Sequence, residues 1–283
     1  MIVALPSLGA CGGAGAPPGG SGAAAGPPRP ALSYADPGVE RTEYRFADTA
    51  EVTMDLGGAG LQRVPVESAA RLALSLTPTG QDVRVRMRFV EFSGRIGGAM
   101  GGSTEASQDE ITGPLVFSLT PRGEVVLQSL PDLGPRAEQL LNPASLAREL
   151  FPRFPARPPS APGATWSDTL TYRAGRDDDA LRAERHLTYT LGEEISLAGR
   201  RVLRIAGRGR ARYTFEGTRM GMEARQTLEG PVESEILWDP VRRIPVSVRT
   251  EKRLTGTMEL PALGTPPVPL ELRGTTRVRL VGS

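Results

Sequence analysis

The 283-residue sequence contains one cysteine, one histidine and one lysine, and each scarcity removes a class of function. A lone thiol, Cys11, excludes an intrachain disulfide framework. One cysteine and one histidine cannot assemble a soft-ligand zinc site. Any Ser-His-Asp or Cys-His arrangement would have to run through His186. Aromatic residues make up only 5% of the chain, while 34 glycines and 26 prolines favour strands and turns over helical packing. Lys252 is the only lysine, so the basic charge is almost all arginine. With the heavy Ala, Gly and Pro usage, this points to a GC-rich coding bias. Net charge is +2, and no block of like charge stands out, which argues against a nucleic-acid surface. No motif calls for a cofactor or a metal.

The N-terminus is distinctive. Met1 to Ala10 is apolar and ends in small residues before Cys11. The run Leu8-Gly9-Ala10-Cys11 resembles a bacterial lipobox, in which the cysteine is acylated and becomes the first mature residue. The resemblance departs from the usual signal in two respects: no basic residue precedes Cys11, and Pro6 interrupts the apolar run. Residues 12–33 are dominated by Gly, Ala, Pro and Ser and are expected to form a solvated tether. No other stretch approaches the ~20 apolar residues of a membrane span, so attachment is expected through lipid on Cys11.

From Tyr44 onward the dominant signal has period two, which means antiparallel sheet with one dry and one wet face. In Val202–Phe215, Leu203, Ile205, Gly207, Gly209, Ala211, Tyr213 and Phe215 share a face opposite Arg204, Arg208, Arg210 and Arg212. Val248, Leu254, Met258 and Leu260 oppose Arg249, Glu251, Arg253 and Glu259 in the same way. Leu272, Val278 and Leu280 oppose Glu271, Arg273, Arg277 and Arg279. Such runs exceed the roughly 3–10 residues of a typical strand, so they must coil strongly. Gly207 and Gly209 on a dry face suit that curvature. The mixed Arg/Glu faces predict cross-strand charge pairs on solvated sheet.

The sequence also repeats. A long alternating strand, Met100-Gly101, Gly113-Pro114 and Pro121 recur in order as Arg201–Phe215, Met220-Gly221, Gly230-Pro231 and Pro240. Each Gly-Pro is expected mid-strand, with a bulge. The folded part is thus expected at 34–283, with half-repeats at about 40–134 and 164–283. Between them, residues 135–163 hold the one good helical stretch and a Pro-rich linker. Asn142-Pro143 supplies a helix cap and a first-turn proline, and Leu140, Leu141, Leu146, Leu150 and Phe151 form an apolar side.

Long curved strands, a helical insert, a lipobox and the opening Gly163-Ala164-Thr165-Trp166 together resemble the bacterial LolA/LolB-like half-barrel lipoproteins. The resemblance implies an envelope protein on the periplasmic side, anchored at the outer membrane. It further implies an apolar concavity able to hold acyl chains, and of the site residues only Cys11 follows from it. From their places on the helical insert and the dry strand face, Leu140, Leu146, Leu150, Phe151, Gly207, Gly209 and Tyr213 are candidate lining. Docking of another envelope protein through strand edges or the Arg/Glu face is the alternative reading.

Candidate chemistry is weak. His186 alternates away from Leu187 and Tyr189, so a surface role outweighs a general base. Asp177-Asp178-Asp179 lacks the spaced ligands of a calcium loop and reads as an acidic turn. Gly94–Ser103 lacks the Lys-Ser/Thr of a phosphate loop and reads as a hairpin connection. Glu233 and Glu235 lie on an Arg-rich exposed face. A non-enzymatic protein is the expectation.

Overall fold

The computed structural model describes residues 32–57, 60–98, 102–159, 161–174, 180–219, 222–264 and 266–282. Cys11, nearly all of the expected tether, Met100-Gly101, Met220-Gly221 and the Asp177–Asp179 turn lie outside the described residues.

The first half comprises β1 (Arg41–Asp55), β2 (Leu61–Thr79), β3 (Asp82–Gly97), β4 (Ser103–Ser107), β5 (Ile111–Thr112), β6 (Leu115–Leu119), β7 (Val125–Ser129) and β8 (Asp132–Leu133). Two short helices follow, α1 (Pro135–Leu140) and α2 (Pro143–Leu150). The second half is β9 (Thr165–Ala174), β10 (Ala180–Leu197), β11 (Arg200–Arg219), β12 (Met222–Asp239), β13 (Ile244–Glu259) and β14 (Val268–Gly282). The protein is therefore dominated by long antiparallel strands, as the period-two pattern requires.

Both halves join one sheet in the order β7-β6-β3-β2-β1-β14-β13-β12-β11-β10-β9, with β4 also on β3. Neighbouring strands are consecutive in the chain except where β6 pairs with β3, past β4 and β5, and at the seam, where β1 pairs with β14. The chain thus runs from the seam to one edge, β7, and re-enters at the other edge, β9. Those edges face each other: Val125 of β7 and Asp168 and Leu170 of β9 border one cleft, together with Phe151, Pro152 and Arg153. The architecture is a meander wound into an almost closed barrel, its single gap strapped by the segment after α2. Phe154 N donates to Arg122 O on one side of the gap, and Arg153 Nη1 donates to Thr169 O on the other.

The helices form where their caps direct. Asn142 Oδ1 accepts from Ser145 N at 2.9 Å, with Pro143 in the first turn. Pro143, Ala144, Leu146, Ala147 and Leu150 are buried against the main core, so α2 plugs the dry face of the curved sheet. An aromatic cluster closes that end: Tyr34, Phe151, Phe154 and Trp238 stack or meet edge-on with centroids 4.8–5.6 Å apart. Packing begins earlier than the tether expectation allowed. Leu32 is buried, and the adjoining chain is held by Tyr34 N donating to Pro121 O and Tyr34 Oη to Pro152 O.

The two Gly-Pro sites differ. In the second half, β12 runs unbroken through Gly230-Pro231, and its register against β13 is the same on both sides, so the expected bulge is not there. Gly230 is needed instead because Arg253 O comes within 2.1 Å of where a Cβ would stand. In the first half the strand breaks. A 3-10 turn at Gln108–Glu110 and the β5–β8 pair leave the main sheet, and Gly113 takes φ +79°. The excursion delivers Glu110 to α1, where Oε2 accepts from Arg136 N and Ala137 N at 3.2 Å and Oε1 pairs with Arg136 at 2.7 Å. Local capping there outweighs continued strand pairing.

Candidate functional site

Register converts the sequence into rows across the inner, concave face. One row reads Asp48, Thr276, Thr250 and Ser234 over β1, β14, β13 and β12. Thr250, Thr276 and Ser234 are buried, and Thr276 Oγ1 donates to Asp48. The next row contains Gly274, Lys252, Val232, Gly209 and Leu187, then Asp168 on β9. The row beyond it contains Ala211, Arg185 and Leu170. The lone lysine, one arginine and two aspartates therefore point into the barrel, among residues that alternation would make apolar.

The polar face of α2 lies over them. Ser145 Oγ and Tyr172 Oη are 2.8 Å apart, and the Arg148 guanidinium sits 5.6 Å from the Tyr172 ring centre. Burial opposes charge on Lys252, but Glu149, Tyr213, Asp48 and Tyr172 outweigh it and raise the amine above its ordinary range. Arg185 is likewise raised: Tyr189, Glu149, Tyr213 and Tyr172 overcome its burial. Burial is also the main force pushing the Tyr172 phenol up to about 12. Burial raises Asp168 despite Arg153, whose Nε lies 3.4 Å away, and despite Arg185. Among the described residues, neither Lys252 nor Arg185 has a side-chain hydrogen bond or ion pair. Glu149 is the carboxylate that acts on both, first among the groups raising Lys252 and second to Tyr189 for Arg185.

Beyond this polar band the concave face turns apolar again. Leu228, Leu254 and Leu270 are buried in a cluster separate from the main core, bordered by half-buried Val52, Met54, Tyr213, Met258, Val268 and Leu272. Where the strap crosses the gap, a cleft of about 160 Å³ reaches Arg148, Arg153, Asp168 and Arg185.

The expected lining residues scatter. Leu146, Leu150 and Phe151 are packed into the main core, and Leu140 presses on Gly94. The space over Gly207 is filled by the Tyr189 ring, which would lie 2.6 Å from a Cβ there. Gly209 admits the His186 carbonyl of the neighbouring strand, 1.8 Å from its own missing Cβ. Tyr213 alone of the seven touches both apolar clusters. His186 stands on the wet outer face, its ring between Thr169 Oγ1 at 2.9 Å and Glu184 Oε1 at 2.8 Å. That outer face carries the cross-strand pairs Arg204–Glu235, Arg208–Glu233 and Arg210–Glu229. Gly97 and Ser103 pair at the hairpin connection.

The inward charges were not singled out from the sequence, although parity marks them. Arg185 shares the face of Leu187 and Tyr189, Lys252 that of Val248 and Leu254, and Asp168 that of Trp166 and Leu170. Among the described residues no group of three or more His, Cys, Asp or Glu is placed to hold a metal. Nor is any described helix long and apolar enough to cross a membrane, which says nothing of strands.

No protein-family model and no curated protein matches the chain. One solved structure, DynF from the dynemicin biosynthesis pathway of Micromonospora chersina, aligns over 90% of this chain and 86% of its own at 11% identity and a TM-score of 0.25. At that score the likeness carries no argument.

Proposed function

We propose that this chain is a lipid-anchored envelope protein without catalytic activity that holds an apolar ligand against its concave sheet. The observation that carries the reading is the second apolar cluster. It is built from the same strands as the core, yet Val52, Met54, Met258, Val268 and Leu272 remain only half buried. Apolar surface gathered inside a curved sheet marks a place for an apolar partner. The lipobox-like Leu8–Cys11 supports the anchor, as does the LolA/LolB-like resemblance. The exposed position of His186 supports a non-catalytic role. Native mass spectrometry of protein from its own host tests both halves together. An acyl mass on Cys11 and a co-purifying lipid are expected. Protein free of both would overturn the proposal.

A second reading has one observation of its own. Val126 and Leu130, at the β7 edge, are 52% and 55% exposed. An envelope protein docked on that edge would cover them.

A further inference from the structure

We infer that the ligand is an anionic amphiphile of the long-chain carboxylate type, its head held between Lys252 and Arg185 and its chain lying on the apolar cluster beyond them. The inference rests on the ligand-holding reading above and gives that ligand a charge and an orientation.

Three observations support it. First, the floor between the two cations is made of small residues. Lys252 and Arg185 are separated by β12 and β11, which contribute Val232 and Gly209 in the lysine's row and Ala211, paired with Gly230, in the arginine's row. Val232 and Ala211 are buried there, and Gly209 and Gly230 carry no side chain, so only short groups stand between the lysine and the arginine.

Second, the charges around the two cations do not balance. Asp168 is engaged by Arg153. That leaves Lys252, Arg185 and Arg148 against Glu149 and Asp48, an excess of one positive charge. A partly desolvated cation gains most from a directly bonded anion, and neither Lys252 nor Arg185 has one in the protein. One monoanionic head completes the set. The Tyr213 hydroxyl, also without a hydrogen-bond partner among the described residues, can donate to the same head.

Third, polarity falls in the right direction. From Lys252, β13 continues inward-facing as Leu254, Gly256 and Met258, flanked by Leu272 and Leu270 on β14 and Leu228 on β12. Six residues of strand span about 20 Å, the length of one extended long-chain acyl group. On the other side of Lys252 the row of Thr250, Thr276 and Ser234 is polar and buried. A chain with its head at Lys252 therefore has only one apolar way to lie.

The test uses the full chain and a fluorescent polyene fatty acid, cis-parinaric acid, beside its uncharged methyl ester. The acid is expected to bind at least about tenfold more tightly, or about 1.4 kcal/mol. Lys252→Met and Arg185→Met are each expected to abolish that preference by weakening the acid alone, while Lys252→Arg retains it. Equal binding of acid and ester by the native protein overturns the charged-head inference and leaves the ligand-holding reading standing. Binding of neither probe overturns that reading and the inference with it. Stronger binding of phosphatidylglycerol vesicles than of the acid also overturns the carboxylate assignment. Should the methionine variants fail to fold in a thermal melt, the native acid-to-ester ratio decides alone.

Discussion

The two ends of the concave face are built from the same strands and differ in what lies on them. At the strapped end, α2 and the Phe151–Phe154 segment cover the sheet, and Trp238, Tyr34, Phe117 and Phe151 are almost completely buried. At the other end the sheet curls over Leu228, Leu254 and Leu270, leaving their neighbours half exposed. Between them runs the band of Asp48, Thr276, Thr250, Ser234 and Lys252. A long strand can therefore serve two purposes at once. Stability comes from the end with a second layer, where dispersion contacts are complete. The end lacking that layer leaves its apolar surface half exposed.

Substitutions can break this comparison at the strapped end first. Trp238→Ala removes the centre of the aromatic cluster and is expected to cost about 3–5 kcal/mol in urea denaturation. A loss below 1 kcal/mol would mean that this end does not carry the core. Gly123 holds φ +86° with Pro152 O only 2.4 Å from where a Cβ would stand, so Gly123→Ala should lift the strap. A loss of about 2–3 kcal/mol is expected, with faster hydrogen exchange at Phe154 N. Tyr34→Phe leaves Pro152 O without its donor and is expected to cost about 1 kcal/mol.

A pH series sharpens the contrast further. Asp168 binds its proton more tightly folded than unfolded because burial disfavours the carboxylate. Its contribution to stability is therefore best below its unfolded pKa and worsens as pH rises through the raised folded value. Asp168→Asn should flatten that fall, measured as urea midpoints from the ordinary carboxylate range up to neutrality. An unchanged slope would remove Asp168 as its source. The smallest effect belongs to the outer face: Arg208→Ala, which breaks an exposed pair with Glu233, should change stability by less than about 0.5 kcal/mol.

Much of the fold was legible in residue order. Alternation identified which of Leu203–Phe215 and Arg204–Arg212 turn inward and outward, because a strand's period of two leaves no other choice. Asn142-Pro143 marked the start of α2 for an equally local reason. The two Gly-Pro sites were not separable in this way. The break at Gly113 depends on Glu110 finding the N-terminus of α1, a contact between segments that local sequence does not encode. The candidate site was half legible: parity puts Lys252, Arg185 and Asp168 on the dry faces, but an ionisable residue on such a face gains meaning only with its neighbours.

The sequence by itself determined the antiparallel class, the inward and outward faces, the helix caps and the scarcity of catalytic residue types, since all follow from local periodicity and composition. Only the tertiary structure decided that both halves share one sheet, that β14 pairs back with β1, and that β7 and β9 meet across a strap. The β1–β14 seam joins residues more than two hundred positions apart, such as Tyr44 and Leu280, and loop-closing contacts of that range are chosen by packing. The same pairings bring a lysine from β13, an arginine from β10 and a glutamate from α2 around one small-residue floor. No stretch of the chain holds that arrangement on its own.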